Sequence, residues 1–318
     1  MTFFSIFFAL LIEQLKPLRA DNPVYAGVRT LAAKLEASFN AGQAHHGRLA
    51  WFLMVAAFTV PIGLLYWISV MLGPLAALLV NIAVVYLTLG FRHYSHFFTS
   101  IQLALNNGDE ATARSLLAEW TKRDTAGMDV SEVARIAVET ALITTHRNVF
   151  GVFFWILTPL GPMGAVMYRV AEYLARIWNV SKTAEQEEFG RFAAQAFYWI
   201  DWIPVRLTAA AFAVVGNFED AIYAWRNFAG RWQDEAIGII LSSGGGAMGI
   251  RLGASAENAA DVIPADAATV DSINMETEAP VGEEASSRAL QSTVGLVWRA
   301  LLLWMLLVLL LSIAKWLG

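Results

Sequence analysis

Apolar runs recur along this chain at lengths set by a bilayer rather than by a globular core. The longest, residues 49–90, contains forty-two positions without one charge. A membrane-crossing helix needs about 20 apolar residues, so this run predicts two helices in a hairpin. Gly73-Pro74 near its middle marks the turn. Pro61 falls inside the first helix, where it favours a kink, and Trp51, Tyr66 and Trp67 suit interfacial positions. The block 149–168 is interrupted by Pro159, Gly161 and Pro162, and reads as one kinked span or a re-entrant pair. Such irregular backbone is tolerated at membrane depth only inside protein or beside a wet cavity. Residues 196–216 form a third block, which carries Asp201 and Arg206. Residues 236–253 are short and Gly-rich. Residues 300–318 are a clear carboxy-terminal span. The first apolar stretch, residues 3–12, either spans with help from Glu13 to Leu18 or lies in the interface.

Between these blocks lies a polar insert with helical signals. Asn106-Asn107-Gly108-Asp109 is a turn, followed by good helix formers from Glu110 to Lys122. Ser131 is placed as the N-cap of a second helix with Glu132 in its first turn. The step Arg123-Asp124-Thr125 in a Gly-containing turn is ordinary capping chemistry on local evidence. Residues 254–287 hold eight acids among many Ala and Ser, and read as a flexible acidic linker.

Composition agrees with a membrane setting. Of 318 residues, 57% are hydrophobic and 15% charged, against about 25% charged in average soluble domains. The basic residues of 16–48 and 91–148 lie on either side of one hairpin, hence on one face of the membrane, and the positive-inside tendency makes that face cytoplasmic. No long basic run points to nucleic acid. The absence of cysteine excludes disulfides and thiolate chemistry. The amino terminus lacks a basic n-region and a cleavage site, so it reads as a retained segment.

The fold expected is all-α: a polytopic helical integral membrane protein with a helical cytoplasmic insert. Its parts are residues 1–48 (apolar segment and basic loop), 49–91 (hairpin) and 92–148 (cytoplasmic insert). They continue with 149–253 (broken membrane helices), 254–296 (acidic linker) and 297–318 (final span).

Local chemistry is sparse. His93 and His96 stand three apart on a helix, but no carboxylate completes a metal set, and a juxtamembrane role accounts for them better. Gly244-Gly245-Gly246 matches no phosphate-loop pattern, so close helix packing is the better reading. Arg135 and Glu139 form an i, i+4 pair. Asp201 and Arg206 either both sit at the water interface or line a polar pocket, because a lone charge at mid-bilayer costs at least about 2.5–3.5 kcal/mol.

Several stretches, in order, resemble the CobD/CbiB family of integral membrane proteins of cobalamin biosynthesis. They are Arg92 after the hairpin, A-L-x-x-G-D at 104–109, R-D-T at 123–125 and A-V-E-T at 137–140. P-V-R-L at 204–207 and G-A-M-G-I-R-L-G at 246–253 complete the series. The resemblance implies a multi-pass protein of the bacterial inner membrane that joins an aminopropanol-type amine to adenosylcobyric acid. The product would be adenosylcobinamide or its phosphate. ATP and Mg²⁺ would serve as cofactors and a corrinoid as substrate, with the lipid bilayer as surroundings. It nominates Asp124 and Glu139 as catalytic, and Arg92, Arg123, Thr125 and Arg206 as substrate-binding, with no protein metal ligand assigned.

The chain departs from the family pattern where carboxylates are expected. The E-N-x-x-D step falls on Ile143-Thr144 and Arg147, and K-x-x-N-x-x-D meets Arg169, Glu172 and Ala175. Paired Asp residues fall on Phe197 and Tyr198. These departures imply lost or altered catalysis. The sequence 201-DWIPVRL-207 also resembles AmpE, an inner-membrane protein linked to β-lactamase regulation. That likeness implies a non-enzymatic signalling role with a membrane or envelope protein partner. A transporter built on the break at 159–162 is a third reading.

Overall fold

A computed structural model describes residues 2–18, 22–39, 44–179, 184–253 and 282–317. The described chain is helical, and its only extended pairing is an isolated bridge between Ile250 and Glu283. The order is α1 (Thr2–Leu15), α2 (Pro23–Phe39), α3 (Ala44–Leu72), α4 (Pro74–Thr88), α5 (Phe91–Asn106), α6 (Glu110–Thr121) and α7 (Val130–Thr145). A π-helical turn (His146–Phe150) leads into α8 (Gly151–Leu157) and α9 (Pro162–Ile177). Then come α10 (Ala184–Val215), α11 (Phe218–Phe228), a 3₁₀ turn (Ala229–Arg231), α12 (Glu235–Met248) and α13 (Ser287–Leu317). Among the described residues, three helices are long and apolar enough to cross a membrane, at His45–Leu72, Phe189–Val215 and Ser287–Ala314. The chain is thus a helical membrane protein, as its apolar pattern predicts.

The chain divides into two compact units: residues 1–97, 144–208 and 300–318 form the first, and residues 98–143 and 209–299 the second. In the first unit the predicted hairpin is α3 and α4. Gly73 turns it at φ 126°, a conformation that favours glycine, and Pro74 opens α4, where a missing amide hydrogen costs nothing. The helix continues through Pro61. α3 packs on α4 and α9, α1 on α4, α2 on α3, and α8 on α9. The apolar block after residue 149 is indeed broken: α8 and α9 are separate helices joined at 158–161, with Gly161 at φ 56°.

In the second unit four helix starts are satisfied by side chains. Asp109 accepts from Thr112 N, Asn217 from Asp220 N, and Asp234 from Ala236 N and Ile237 N. The N-cap of α7 is Asp129, not Ser131: its Oδ1 accepts the Glu132 amide at 2.7 Å. Ser131 already lies inside the first turn of a helix that begins at Val130. Two of these caps share an electrostatic signature. Hydrogen bonding by Thr112 and Glu132 holds the Asp109 and Asp129 carboxyls below the ordinary carboxylate range.

The Gly244-Gly245-Gly246 run is a packing feature. It lies within α12, and a Cβ on Gly246 would fall 2.5 Å from the Asp220 carbonyl oxygen of α11. α13 opens at Ser287, ahead of residue 297. The acidic stretch 254–281 lies outside the described residues.

Two stability effects are expected. Asp129→Ala should lower stability by about 1 kcal/mol near neutral pH. Because the folded carboxyl titrates below its unfolded value of about 3.9, that contribution is complete above pH 4 and disappears as pH falls through the folded value. Thermal melts in detergent at pH 7 and pH 3 should show the gap between variant and parent shrinking with acid. Gly246→Ala should cost about 1–3 kcal/mol, because backbone on α11 must move to admit the new carbon.

Candidate functional site

The first unit carries its polar chemistry on three elements. α10 presents Asp201 and Thr208 seven residues apart, two turns along one face. The π-helical turn presents His146, and α9 presents Tyr168. His146 Nε2 lies 2.9 and 3.1 Å from the two Asp201 carboxylate oxygens, and its Nδ1 lies 2.9 Å from Thr208 Oγ1. The Tyr168 hydroxyl donates to Asp201 Oδ1 at 3.0 Å. Asp201 and His146 are each only 2% exposed. Both ring nitrogens of His146 thus have partners, and Asp201 has two, the imidazole Nε2 and the tyrosine hydroxyl. A carboxylate inside an apolar span is otherwise costly, so these two donors allow it to stay there.

The local backbone is built for this network. A π-helical turn inserts an extra residue and re-aims the side chains that follow. Gly151, at the start of α8, leaves room for the tyrosine ring, since a Cβ there would lie 2.2 Å from the Tyr168 hydroxyl.

The same π-helical turn contributes Asn148 to a separate cavity of about 320 Å³ in this unit. Its walls come from α1 to α4, the 89–90 link and α9. On α9, Arg169, Glu172, Tyr173 and Arg176 share one helical face. Glu172, 5% exposed, takes Arg176 Nε at 3.2 Å and Arg169 Nη1 at 3.4 Å. Across the cavity stand Glu13 of α1, itself 3% exposed, and Tyr25 and Arg29 of α2. Burial raises both the Tyr25 and Tyr173 hydroxyl pKa; nearby Arg169 opposes the first shift, and Arg176 and Arg29 the second. The hydroxyls therefore stay protonated at neutral pH, and that of Tyr25 donates to the Leu87 carbonyl at 2.8 Å.

The residues nominated by sequence are placed differently. Asp124 is exposed and accepts from Ala126 N at 3.0 Å, an Asx turn. Arg123 beside it is exposed. Thr125 is buried and donates to the Arg114 carbonyl at 2.8 Å. Glu139 pairs with Arg135 at 3.0 Å, the predicted i, i+4 contact, and accepts the Gly253 amide at 2.8 Å. No hydrogen bond or ion pair joins Asp124 to Glu139 among the described residues. All four belong to the second unit, whereas Arg92 and Arg206 belong to the first. Arg92 opens α5, and its side chain, like that of His93, lies outside the described residues. Arg206 stacks its guanidinium 3.9 Å above the Trp202 ring. Asp201 and Arg206 thus have separate surroundings, Asp201 being buried among protein groups.

Sequence reasoning noted Asp201 but missed His146, Tyr168 and Thr208. It likewise did not nominate the Arg169–Glu172–Arg176 cluster, although the i, i+3 and i+7 spacing was a usable signal. The Mg²⁺ implied by the resemblance finds no matching donor set. Among the described residues, no three His, Asp or Glu side chains converge as a metal requires, and Glu172 is already ion-paired twice.

Removing Asp201 leaves the buried His146 Nε2 and the Tyr168 hydroxyl without their acceptor, at a cost of about 1–3 kcal/mol each. Asp201→Ala should therefore lower the melting temperature far more than Arg206→Ala, which removes a cation–π contact worth about 0.5–2 kcal/mol. Comparable melting of the two variants in detergent would contradict the network's structural weight.

Comparison with known proteins follows the geometry. The family described as CobD/Cbib protein matches residues 6–274. The chain is 32% identical over 313 residues to the Cobalamin biosynthesis protein CobD of Stutzerimonas stutzeri (strain A1501), covering 96% of this chain and 97% of that protein. It is 32% identical over 209 residues to the protein of the same name from Chromobacterium violaceum, covering 66% of each. A Probable cobalamin biosynthesis protein CobD from Thermoplasma acidophilum is 30% identical over 155 residues, 47% of this chain and 49% of that protein. No solved structure matches. The chain belongs to the CobD/CbiB family of cobalamin biosynthesis.

Proposed function

We propose that this protein joins an aminopropanol-type amine to the carboxyl group of adenosylcobyric acid, giving adenosylcobinamide or its phosphate. It does so as a multi-pass protein of the bacterial inner membrane. The observation that carries this reading is similarity over 96% of the chain to a protein named for cobalamin biosynthesis.

Amide formation needs an electrophilic acyl carbon, an unprotonated amine and stabilisation of the oxyanion that forms between them. Fixed cations supply the last of these. Arg92, Arg123 and Arg206 are the cations that the family resemblance nominates for this task. Asp124 and Glu139 are the nominated proton acceptors. Activation by ATP is part of the proposal. Mg²⁺ would reach the reaction with the nucleotide, since the described donors do not fit a protein-held ion.

One observation favours a second reading, a non-enzymatic AmpE-like regulatory membrane protein. Where the resemblance places carboxylates, Arg147 and Phe197 instead meet as a cation–π pair at 5.9 Å.

The two readings separate in a bacterial strain lacking its own enzyme of this step. Supplied with cobyric acid, such cells should make complete cobalamin only when this chain is expressed, and Asp124→Ala should abolish that rescue. Supplied with cobinamide, they should need no help. Failure on cobyric acid, with the protein present in membranes at normal levels, overturns the synthase. A changed β-lactam response on deletion, without a cobalamin requirement, establishes the regulatory reading.

A further inference from the structure

The cavity of the first unit is strongly asymmetric in its chemistry. Phe58 and Ile62 of α3, Val84 of α4 and Val166 of α9 give it an apolar wall. The rest of the lining carries three guanidinium groups, from Arg29, Arg169 and Arg176, and two carboxylates, from Glu13 and Glu172. Three positive charges against two negative leave a net excess of one positive charge. Glu172 is shared between Arg169 and Arg176, so a single carboxylate faces two cations. Arg29 reaches this group from another helix and acts on Tyr173 electrostatically, as Arg176 also does. The tyrosine ring sits under the Arg176 guanidinium at 5.5 Å.

Size restricts the occupant. About 320 Å³ lies at the lower end of the ~300–1,000 Å³ typical of small-molecule pockets. A corrinoid with its ring, amides and adenosyl group is far larger than a drug-sized ligand, so it cannot be enclosed here. An apolar chain or short body carrying one oxyanion matches both walls. Guanidinium groups bind phosphate or carboxylate through paired, charge-assisted hydrogen bonds, and the apolar lining excludes competing water.

We propose that this cavity is a binding site for a small amphiphile with one phosphate or carboxylate head, held by Arg29 and Arg176 beside Arg169, with its apolar part against Phe58 and Ile62. The site is independent of the amide-forming reaction proposed above, and holds whether or not the chain catalyses it. A membrane lipid headgroup and a soluble phosphate ester share this chemistry.

The experiment uses the full chain purified in an uncharged maltoside detergent, with n-decyl phosphate as probe. Thermal shift and titration should show saturable stabilisation by decyl phosphate and little by decanol at equal concentration. Arg29→Gln/Arg176→Gln should weaken binding about tenfold or more, the loss expected for charge-assisted bonds. Ile62→Trp should fill the apolar half and weaken binding with every charge intact. Arg226→Gln, on α11 of the second unit, should bind as the parent does. Competition by phosphatidylglycerol nanodiscs, but not by inorganic phosphate, supports the site with a lipid as source. Competition by inorganic phosphate supports it with a soluble anion as source. Equal stabilisation by decanol and decyl phosphate overturns the proposal, as does unchanged binding in both the arginine and Ile62→Trp variants.

Discussion

A carboxylate inside an apolar helix is the constraint around which the first unit is arranged. Asp201 lies within the apolar span of α10, where water cannot solvate its charge. An unpaired charge there would oppose insertion by at least about 2.5–3.5 kcal/mol. The chain answers with donors from two other elements, His146 and Tyr168, and each donor constrains its own neighbourhood. His146 stands in a π-helical turn, so the extra residue belongs to the solution rather than to irregularity. Tyr168 reaches Asp201 only because Gly151 carries no side chain. The break between α8 and α9 sends the chain back so that both donors can approach one face of α10. Packing elsewhere in the unit agrees with this arrangement: Phe150, the last residue of the π-helical turn, stacks on Trp304 of α13 at 6.1 Å.

The parts legible in the sequence were those governed by short-range rules. The Gly73-Pro74 turn, the turn at 106–109, the Arg135–Glu139 pair and the interruption around Pro159 each depend on residues a few positions apart. Asp201 was visible as an anomaly, because a charge in an apolar run needs an explanation. Its partner was not visible, because His146 is 55 positions away and sits among ordinary polar residues. Nothing in T-T-H-R-N announces a buried imidazole. The Ser131 cap failed for a smaller reason: Asp129, two positions earlier, is an equally good capping residue, and the start of α7 at Val130 decides between them. The cavity was illegible for the same reason as the network, since its lining comes from α1, α2, α3, α4 and α9.

The four family motifs that fall in the second unit have a backbone explanation. In A-L-x-x-G-D, Gly108 takes φ 72° and Asp109 caps α6. In R-D-T, the threonine ties the turn back to the Arg114 carbonyl. The glutamate of A-V-E-T accepts the amide of Gly253, the last residue of G-A-M-G-I-R-L-G, so two motifs far apart in sequence meet in one hydrogen bond. Positions retained for such reasons report that the fold is kept. They do not discriminate a working catalyst from a chain that has lost or changed its chemistry.

The discriminating positions lie in the first unit, where the sequence departs from the family pattern. Expected carboxylates are replaced by Arg147 and Phe197, which touch as a cation and a ring, and Arg169 and Glu172 stand where the pattern has a lysine and an amide. Arg147 also offers its backbone carbonyl to Arg169 Nη1 at 3.4 Å, linking the π-helical turn to the cavity helix. Replacing acids by a cation and an arene changes the sign of the local field while leaving aromatic packing in place. The excess positive charge of the neighbouring cavity has the same sign. The first unit carries both family motifs, Arg92 and P-V-R-L, and these departures, so it is where a changed ligand preference should be sought.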